Sequence, residues 1–353
     1  MIPDIAGAEI VLPAGDLATT LDFFVARLGF RVEAIFPADA PETAVIAGHG
    51  VRLRLERGGT HAGTLRLAVV GEAPAEQLAA PNGTRILVVP ADPPVAVPAL
   101  APALVVVHGG DGAAWGTGRA GMRYRDLIPG RLGGRFIASH IVIPDGGPVP
   151  DYVHFHKVRF QMIYCRAGWV RVVYEDQGAD FVMRAGDCVL QPPRIRHRVL
   201  ESSPGLEVIE IGCPALHETL ADPSIDLPNA RLDPTRRFEG QVFLRHEAAK
   251  APWRPWRFPG FETRDTGMSA ATAGLADARA IRARGAAATP RWTHGGEFQF
   301  MFLLAGAATL DAEGHPSRTL AAGDSFTVPA GLAHALTAVS PDLELLAVSL
   351  PPQ

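Results

Sequence analysis

Two stretches of this chain carry the same landmarks at a separation of 137 or 138 residues, so the polypeptide is expected to build the same unit twice. Gln161 is followed seven residues later by Gly168, and Gln299 seven residues later by Gly306. Each glycine closes a short hydrophobic run. Further on, Gly186-Asp187, Pro192 and His197 in the first stretch answer to Gly323-Asp324, Pro329 and His334 in the second. Arg125-Asp126 and Arg264-Asp265 lead into the two stretches in the same way.

Each repeat is made of short runs rich in Val, Ile, Leu and aromatic residues, such as FIASHIVI, LEVIEIG and EFQFMFLLAG, separated by Gly and Pro. That punctuation predicts a β-sandwich or barrel. Helical periodicity is confined mainly to the N-terminal third. There Asp16 can cap DLATTLDFFVARLGF, with Leu17, Leu21, Phe24 and Leu28 on one face and Gly29 as a stop. Aperiodic stretches at 91–121 and 222–237 divide the chain into 1–112, 113–225 and 226–353, with ALVVVHG as one further strand inside the first boundary.

A formal net charge of −4 gives no field to attract nucleic acid, and no run approaches the ~20 apolar residues of a membrane span. The N-terminus lacks the basic leader of a secretory signal. Three cysteines, Cys165, Cys188 and Cys213, are too few for a disulfide framework, and buried thiols in a cytoplasmic protein are expected.

The chemistry concentrates in VHFHKVRFQ. His154 and His156 alternate on a strand, so both imidazoles face the same side. Gln161 can return an amide oxygen to that place, and His197 can close the set from another strand. A lone buried histidine is more often a satisfied core residue, but two at this spacing plus a third suit one divalent transition metal, iron first, with Mn, Ni, Cu or Zn as alternatives.

These residues resemble the two motifs of the cupin superfamily, G-x5-H-x-H-x3,4-E-x6-G and G-x5-P-x-G-x2-H-x3-N. Gly147, His154, His156, Gln161 and Gly168 match the first, and Gly186, Pro192 and His197 the second, with Arg194 where the family has Gly. Gln161 replaces the family's ligand Glu, which leaves a bound metal more electrophilic and removes a general base from its side. The amide either ligates directly or hydrogen-bonds to metal-bound water. In the second repeat the resemblance puts Trp292 at the first His position, leaving His294, Gln299 and His334 as a second candidate ligand set. Glu297 is a substitute ligand there, and the alternative is a vestigial barrel in which Trp292 stacks on a ligand.

Around the first motif, Tyr152 and Tyr164 are candidate donors to an oxyanion or else packing residues, and His140 is a supporting or exposed residue. Arg194 and Arg196 are either clamps for a substrate carboxylate or solvated charge. The N-terminal segment, with its Asp-Leu turn, Phe-Phe helix and Leu-Gly-Phe ending, resembles the βαβββ module of the glyoxalase/vicinal-oxygen-chelate superfamily. A short helix, APAEQLAA, is expected in a truncated second module. Glu9 and Glu56 stand at that family's ligand positions without an accompanying His, so a structural or dimerising role is expected.

The fold class is therefore mainly β: two tandem cupin (jelly-roll) barrels plus an N-terminal α+β βαβββ module. The resemblance implies a metal-dependent bicupin, a dioxygenase-type oxidoreductase acting on a small organic acid or phenolic compound, in a homodimer. The alternative is a non-catalytic small-molecule binder or sensor. Sugar isomerisation lacks an evident acid–base pair around the site.

Overall fold

The computed structural model describes residues 4–27, 29–48, 50–58, 64–71, 76–79, 85–110, 114–118 and 121–351. Strands dominate, and the described helices are single turns or little more. Two compact units emerge, one formed by Met1–Ala96 with Tyr152–Lys157 and His217–Ser224, the other by Val97–Asp151, Val158–Leu216 and Ile225–Gln353.

In the first unit the strand Ile5–Ala14 runs parallel to Val51–Arg57 and antiparallel to Thr64–Val69. Asp16 accepts from the Thr19 amide at 2.8 Å, and the helix Leu17–Asp22 continues as a π-helical turn, Phe23–Arg27. Leu17 is buried and Leu21 and Phe24 pack on Ala44, Ile46, Leu53 and Leu55, as the helical periodicity requires; Leu28 lies outside the described residues. The strands Arg31–Phe36, Thr43–Gly48 and Val51–Arg57 complete a strand–helix–three-strand order. The helix expected at 73–80 is not formed over its described part. Glu76–Ala79 is a strand antiparallel to Arg85–Pro90, while 73–75 and 80 lie outside the described residues. A helix of eight residues is marginal by itself, whereas pairing with a neighbouring strand satisfies the backbone polar groups at once.

The second unit holds two jelly-roll barrels of matching construction. In the first, a seven-stranded sheet runs in the order Leu244–His246, Cys188–Leu190, Phe160–Ala167, Leu206–Cys213, Ile137–Ile143, Arg123–Asp126 and Gly116–Thr117. In the second the order is Arg254–Pro255, Phe261–Asp265, Asp277–Ala283, Glu344–Leu350, Phe298–Ala305, Ser325–Thr327 and Val105–Val107. The strand expected in ALVVVHG is present, but it extends the second barrel: Val105–Val107 pairs with Ser325–Thr327. Conversely, Leu244–His246, which lies beyond the second boundary in sequence, pairs with Cys188–Leu190 of the first barrel. Each exchange covers a sheet edge that would otherwise expose unpaired backbone groups.

Strand alternation gives each central strand two buried faces. Phe160, Met162 and Tyr164 point out of the first barrel and meet Phe298, Phe300 and Phe302 of the second in one apolar cluster, where Phe136 stacks on Phe298 with ring centroids 4.1 Å apart. Aromatic pairs of this kind add about 0.5–1.5 kcal/mol beyond their burial. The alternate residues, Gln161 and Cys165 in one barrel and Gln299 and Met301 in the other, face the interiors. Burial on both faces explains why these segments read as near-continuous apolar runs.

The repeated glycines have a steric cause. Gly168 and Gly306 sit at φ +74° and +72°, and a Cβ there would approach Ser203 Oγ to 2.4 Å and Ser340 Oγ to 2.5 Å. The three cysteines are buried free thiols, and burial pushes Cys165 up to about 12 and raises Cys188 and Cys213 as well. Among the described residues no helix is long and apolar enough to cross a membrane.

Candidate functional site

His154 and His156 occupy the ends of a three-residue strand, His154–His156, whose antiparallel partner is Thr219–Ala221. Both are buried, and their i, i+2 spacing places the rings on one side with centroids 5.2 Å apart. His197 opens the strand His197–Ser202 and stacks on Tyr174 at 5.5 Å. One ligand atom from each of these three side chains lies within 4.8 Å of the others.

The tautomers are fixed by the backbone. Nδ1 of His154 lies 2.7 Å from the Tyr152 carbonyl, Nδ1 of His156 3.1 Å from that of Glu218, and Nδ1 of His197 3.0 Å from that of Ile195. A carbonyl only accepts, so each Nδ1 carries the proton and each Nε2 the lone pair. Three imidazoles held in this tautomer suit a transition metal. His217, which the sequence reading did not single out, has its ring 5.3 Å from that of His156. It sits in ALHETL, where no spacing distinguishes it from a core histidine.

Gln161 is almost wholly buried, and its Nε2 donates to Glu210 Oε1 at 2.6 Å. A carboxylate cannot donate, so the amide is oriented with Oε1 turned away, and that oxygen is buried without a hydrogen-bond partner. An orphaned buried acceptor costs about 1–3 kcal/mol unless something supplies a positive charge or a proton to it. A metal, or water on a metal, does so. Glu210 is a residue the sequence reading missed. The available signal was the strand period: Glu210 follows Leu206 and Val208 on the inward face of LEVIEIG, whose Ile209 and Ile211 point outward.

Arg194 keeps a left-handed backbone, φ +65°, at the position the motif gives to glycine, and its Nε donates to Glu239 at 3.0 Å. Arg196 is held by Glu175, backbone amide to carboxylate at 3.2 Å and guanidinium to carboxylate at 3.8 Å. The Tyr152 ring lies edge-on to His154 at 5.8 Å. Tyr164 belongs to the apolar cluster between the barrels, where burial raises its phenol. His140 is buried between two charged partners: Nδ1 lies 3.1 Å from Arg125 and Nε2 2.7 Å from Glu207.

The second barrel differs at the same positions. Trp292 pairs through its backbone with His334 and lies over its ring at 4.1 Å, so indole occupies the space of a first imidazole. His334 donates Nδ1–H to the Leu332 carbonyl and His294 donates Nε2–H to that of Val328. Burial lowers both imidazoles, His334 to about 4, and the remaining nitrogens and Gln299 Oε1 are buried without partners. Glu297, a substitute ligand in sequence terms, is instead an ion-pair partner: its Oε1 accepts from Arg135 at 2.9 Å and Arg159 at 2.6 Å. In the N-terminal unit, Glu9 is buried beneath Arg66, Arg52 and Arg54, and Glu56 pairs with Arg54. Arginines already neutralise both acids.

Residues 280–350 match the family described as Cupin domain. No curated protein matches the sequence. Among solved structures, the chain resembles a variant of oxalate decarboxylase from Bacillus subtilis at 14% identity, over 72% of this chain and 78% of that one, with a TM-score of 0.50. It resembles Lactobacillus farciminis oxalate decarboxylase in its formate complex at 15% identity, over 73% and 88%, with a TM-score of 0.52. The protein Ylba from E. coli matches at 11% identity, over 71% and 91%, also with a TM-score of 0.52. At such identities the likeness is one of fold, two jelly-roll barrels in one chain, and the match to the Cupin domain family lies in the second barrel, at residues 280–350.

Proposed function

We propose that the chain is a metal-dependent bicupin enzyme whose centre is the first barrel, acting as a dioxygenase-type oxidoreductase on a small organic acid or phenolic compound. The observation that carries the reading is the triad of His154, His156 and His197, each with Nδ1 bonded to a carbonyl and a ligand atom within 4.8 Å of the other two. These residues would hold the metal, with Gln161 Oε1 as the fourth donor. The group supplies Lewis acidity and, with a redox-active ion, oxygen activation. Manganese joins iron as a leading candidate, because Mn(II) centres are described for the Bacillus subtilis oxalate decarboxylase that this fold resembles.

The protein's own residues define the surroundings. Tyr174 stacks on His197 and its hydroxyl accepts from Gln191 at 2.9 Å, which holds that imidazole in place. Val170, Val172, Met183 and Ile195 give the barrel apolar walls that exclude water. Glu210 restores a carboxylate inside the barrel that the Gln161 position lacks, and it orients the amide. Arg194 and Arg196 are the cations that would orient a substrate carboxylate, which must compete with Glu239 and Glu175 for them. Tyr152, edge-on to His154, is the candidate proton donor.

The second reading, a non-catalytic binder, is favoured by one observation: the acid of the motif is an amide here. Metal content by inductively coupled plasma mass spectrometry, followed by oxygen-uptake and carbon dioxide-release assays with organic and phenolic acids, separates the two. Stoichiometric metal with turnover supports the enzyme; ligand binding without metal or turnover leaves the binder. Light scattering tests the homodimer that accompanies the proposal.

A further inference from the structure

The second barrel holds a half-open cavity of about 290 Å³ lined by Trp256, Arg257, Asp277, Arg279, Gln299 and Met301, among others. That is room for about ten waters, or a ligand of comparable size. Two of its buried lining residues present acceptor atoms without partners, Gln299 Oε1 and Asp277 Oδ1, and both residues are only 6% exposed. The other Asp277 oxygen accepts from Arg279 Nε at 2.5 Å, so this carboxylate is fixed and largely neutralised. At the rim, Arg257 has no carboxylate partner among the described residues. Its guanidinium rests over three rings, Trp256 at 5.2 Å, Phe258 at 4.7 Å and Trp292 at 5.7 Å.

This is a divided chemistry: an uncompensated, pre-oriented cation at the mouth and hydrogen-bond acceptors within. Acceptors call for a ligand that donates, and the cation calls for an anionic end. Trp292, which replaces an imaginable third imidazole, builds part of the aromatic cage instead.

We propose that the second barrel binds, directly and without a metal, a small carboxylate carrying a hydroxyl or ammonium group. Its carboxylate pairs with Arg257, and its donor group bonds to Gln299 Oε1 and Asp277 Oδ1. The site is separate from the histidine triad and stands whether or not the first barrel is an enzyme.

The test is isothermal titration calorimetry on the full chain carrying His154→Ala and His156→Ala, after treatment with chelator. The probes are glycerate, serine, propionate and glycerol. Glycerate or serine is expected to bind, with propionate (no donor) and glycerol (no carboxylate) weaker by about tenfold or more. Arg257→Gln, at an exposed rim position that leaves the core intact, is expected to weaken binding by on the order of tenfold, and Gln299→Leu likewise. Asp277→Asn, whose amide oxygen stays with Arg279 Nε–H and so turns its NH2 towards the cavity, replaces an acceptor by a donor and is expected to weaken glycerate and serine alike by on the order of tenfold. Absence of binding by all four probes overturns the proposal. So does binding that appears only when metal is restored, or an affinity that Arg257→Gln leaves unmoved.

Discussion

Gln161 Nε2 donates to Glu210 Oε1 at 2.6 Å, and this bond decides which end of the amide can meet a cation. The motif's acid has not disappeared from the barrel interior; a carboxylate stands on the adjacent strand and holds the amide that took its place. Gln161→Glu would set two carboxylates against each other, and like charges at that distance cannot both ionise. The metal-free variant is expected to lose about 1–3 kcal/mol of stability. Added Mn(II) should then raise its melting temperature by more than it raises the parent's. Equal metal-induced shifts in the two proteins, by differential scanning fluorimetry, would remove Gln161 from the site.

Removing ligands should remove metal. His154→Ala, His156→Ala and His197→Ala are each expected to lower bound metal at least tenfold in mass spectrometric analysis, because each leaves only two imidazoles and a neutral amide to hold the ion. Tyr164→Phe, in the cluster between the barrels, should leave metal content unchanged.

The second barrel offers the opposite experiment. Trp292→His would place an imidazole two residues before His294, on the pattern of His154 and His156. The metal content of a protein so altered is expected to rise by about one equivalent per chain. An unchanged content would mean that the surroundings of Trp292, and not the lost imidazole, keep metal out.

Acid should loosen the fold through Glu207. The hydrogen bond from His140 holds its carboxyl down at about 2, against burial that would raise it, and Arg166 adds to the effect. A carboxylate with a depressed folded value contributes stability that is complete above its unfolded value of 4.5 and is lost as pH falls towards 2. His140, lowered by burial, acts in the same direction, since protonation below its ordinary range favours unfolding. Urea unfolding at roughly pH 7 and pH 3 should show the parent losing about 1–2 kcal/mol more than Glu207→Gln, a figure reduced for the partial exposure of the group. A parallel loss in both proteins would contradict this.

The N-terminal unit shows how far local pattern carries. Asp16 caps the helix it announces, and Leu17, Leu21 and Phe24 face the core, because capping and periodicity act within a few residues. The segment Glu76–Ala79 went the other way, since strand pairing with Arg85–Pro90 is a contact its own residues do not encode. Glu297 is the same lesson at a functional position. Its place near Gln299 made it a ligand candidate, yet Arg135 and Arg159, more than a hundred residues earlier, take its carboxylate.

By itself the sequence determined that the chain forms two barrels, where their glycines must fall, and which histidines can share a face. These follow from the repeated spacing of the landmarks and from the two-residue period of a strand, both of which can be read along the chain. Only the tertiary structure decided that Glu210 orients Gln161, that Arg194 and Arg196 meet Glu239 and Glu175, and that Val105–Val107 closes the second barrel. Alternation fixes the face on which a side chain lies, but the partner across a barrel or beyond a sheet edge comes from distant chain, and packing alone selects it.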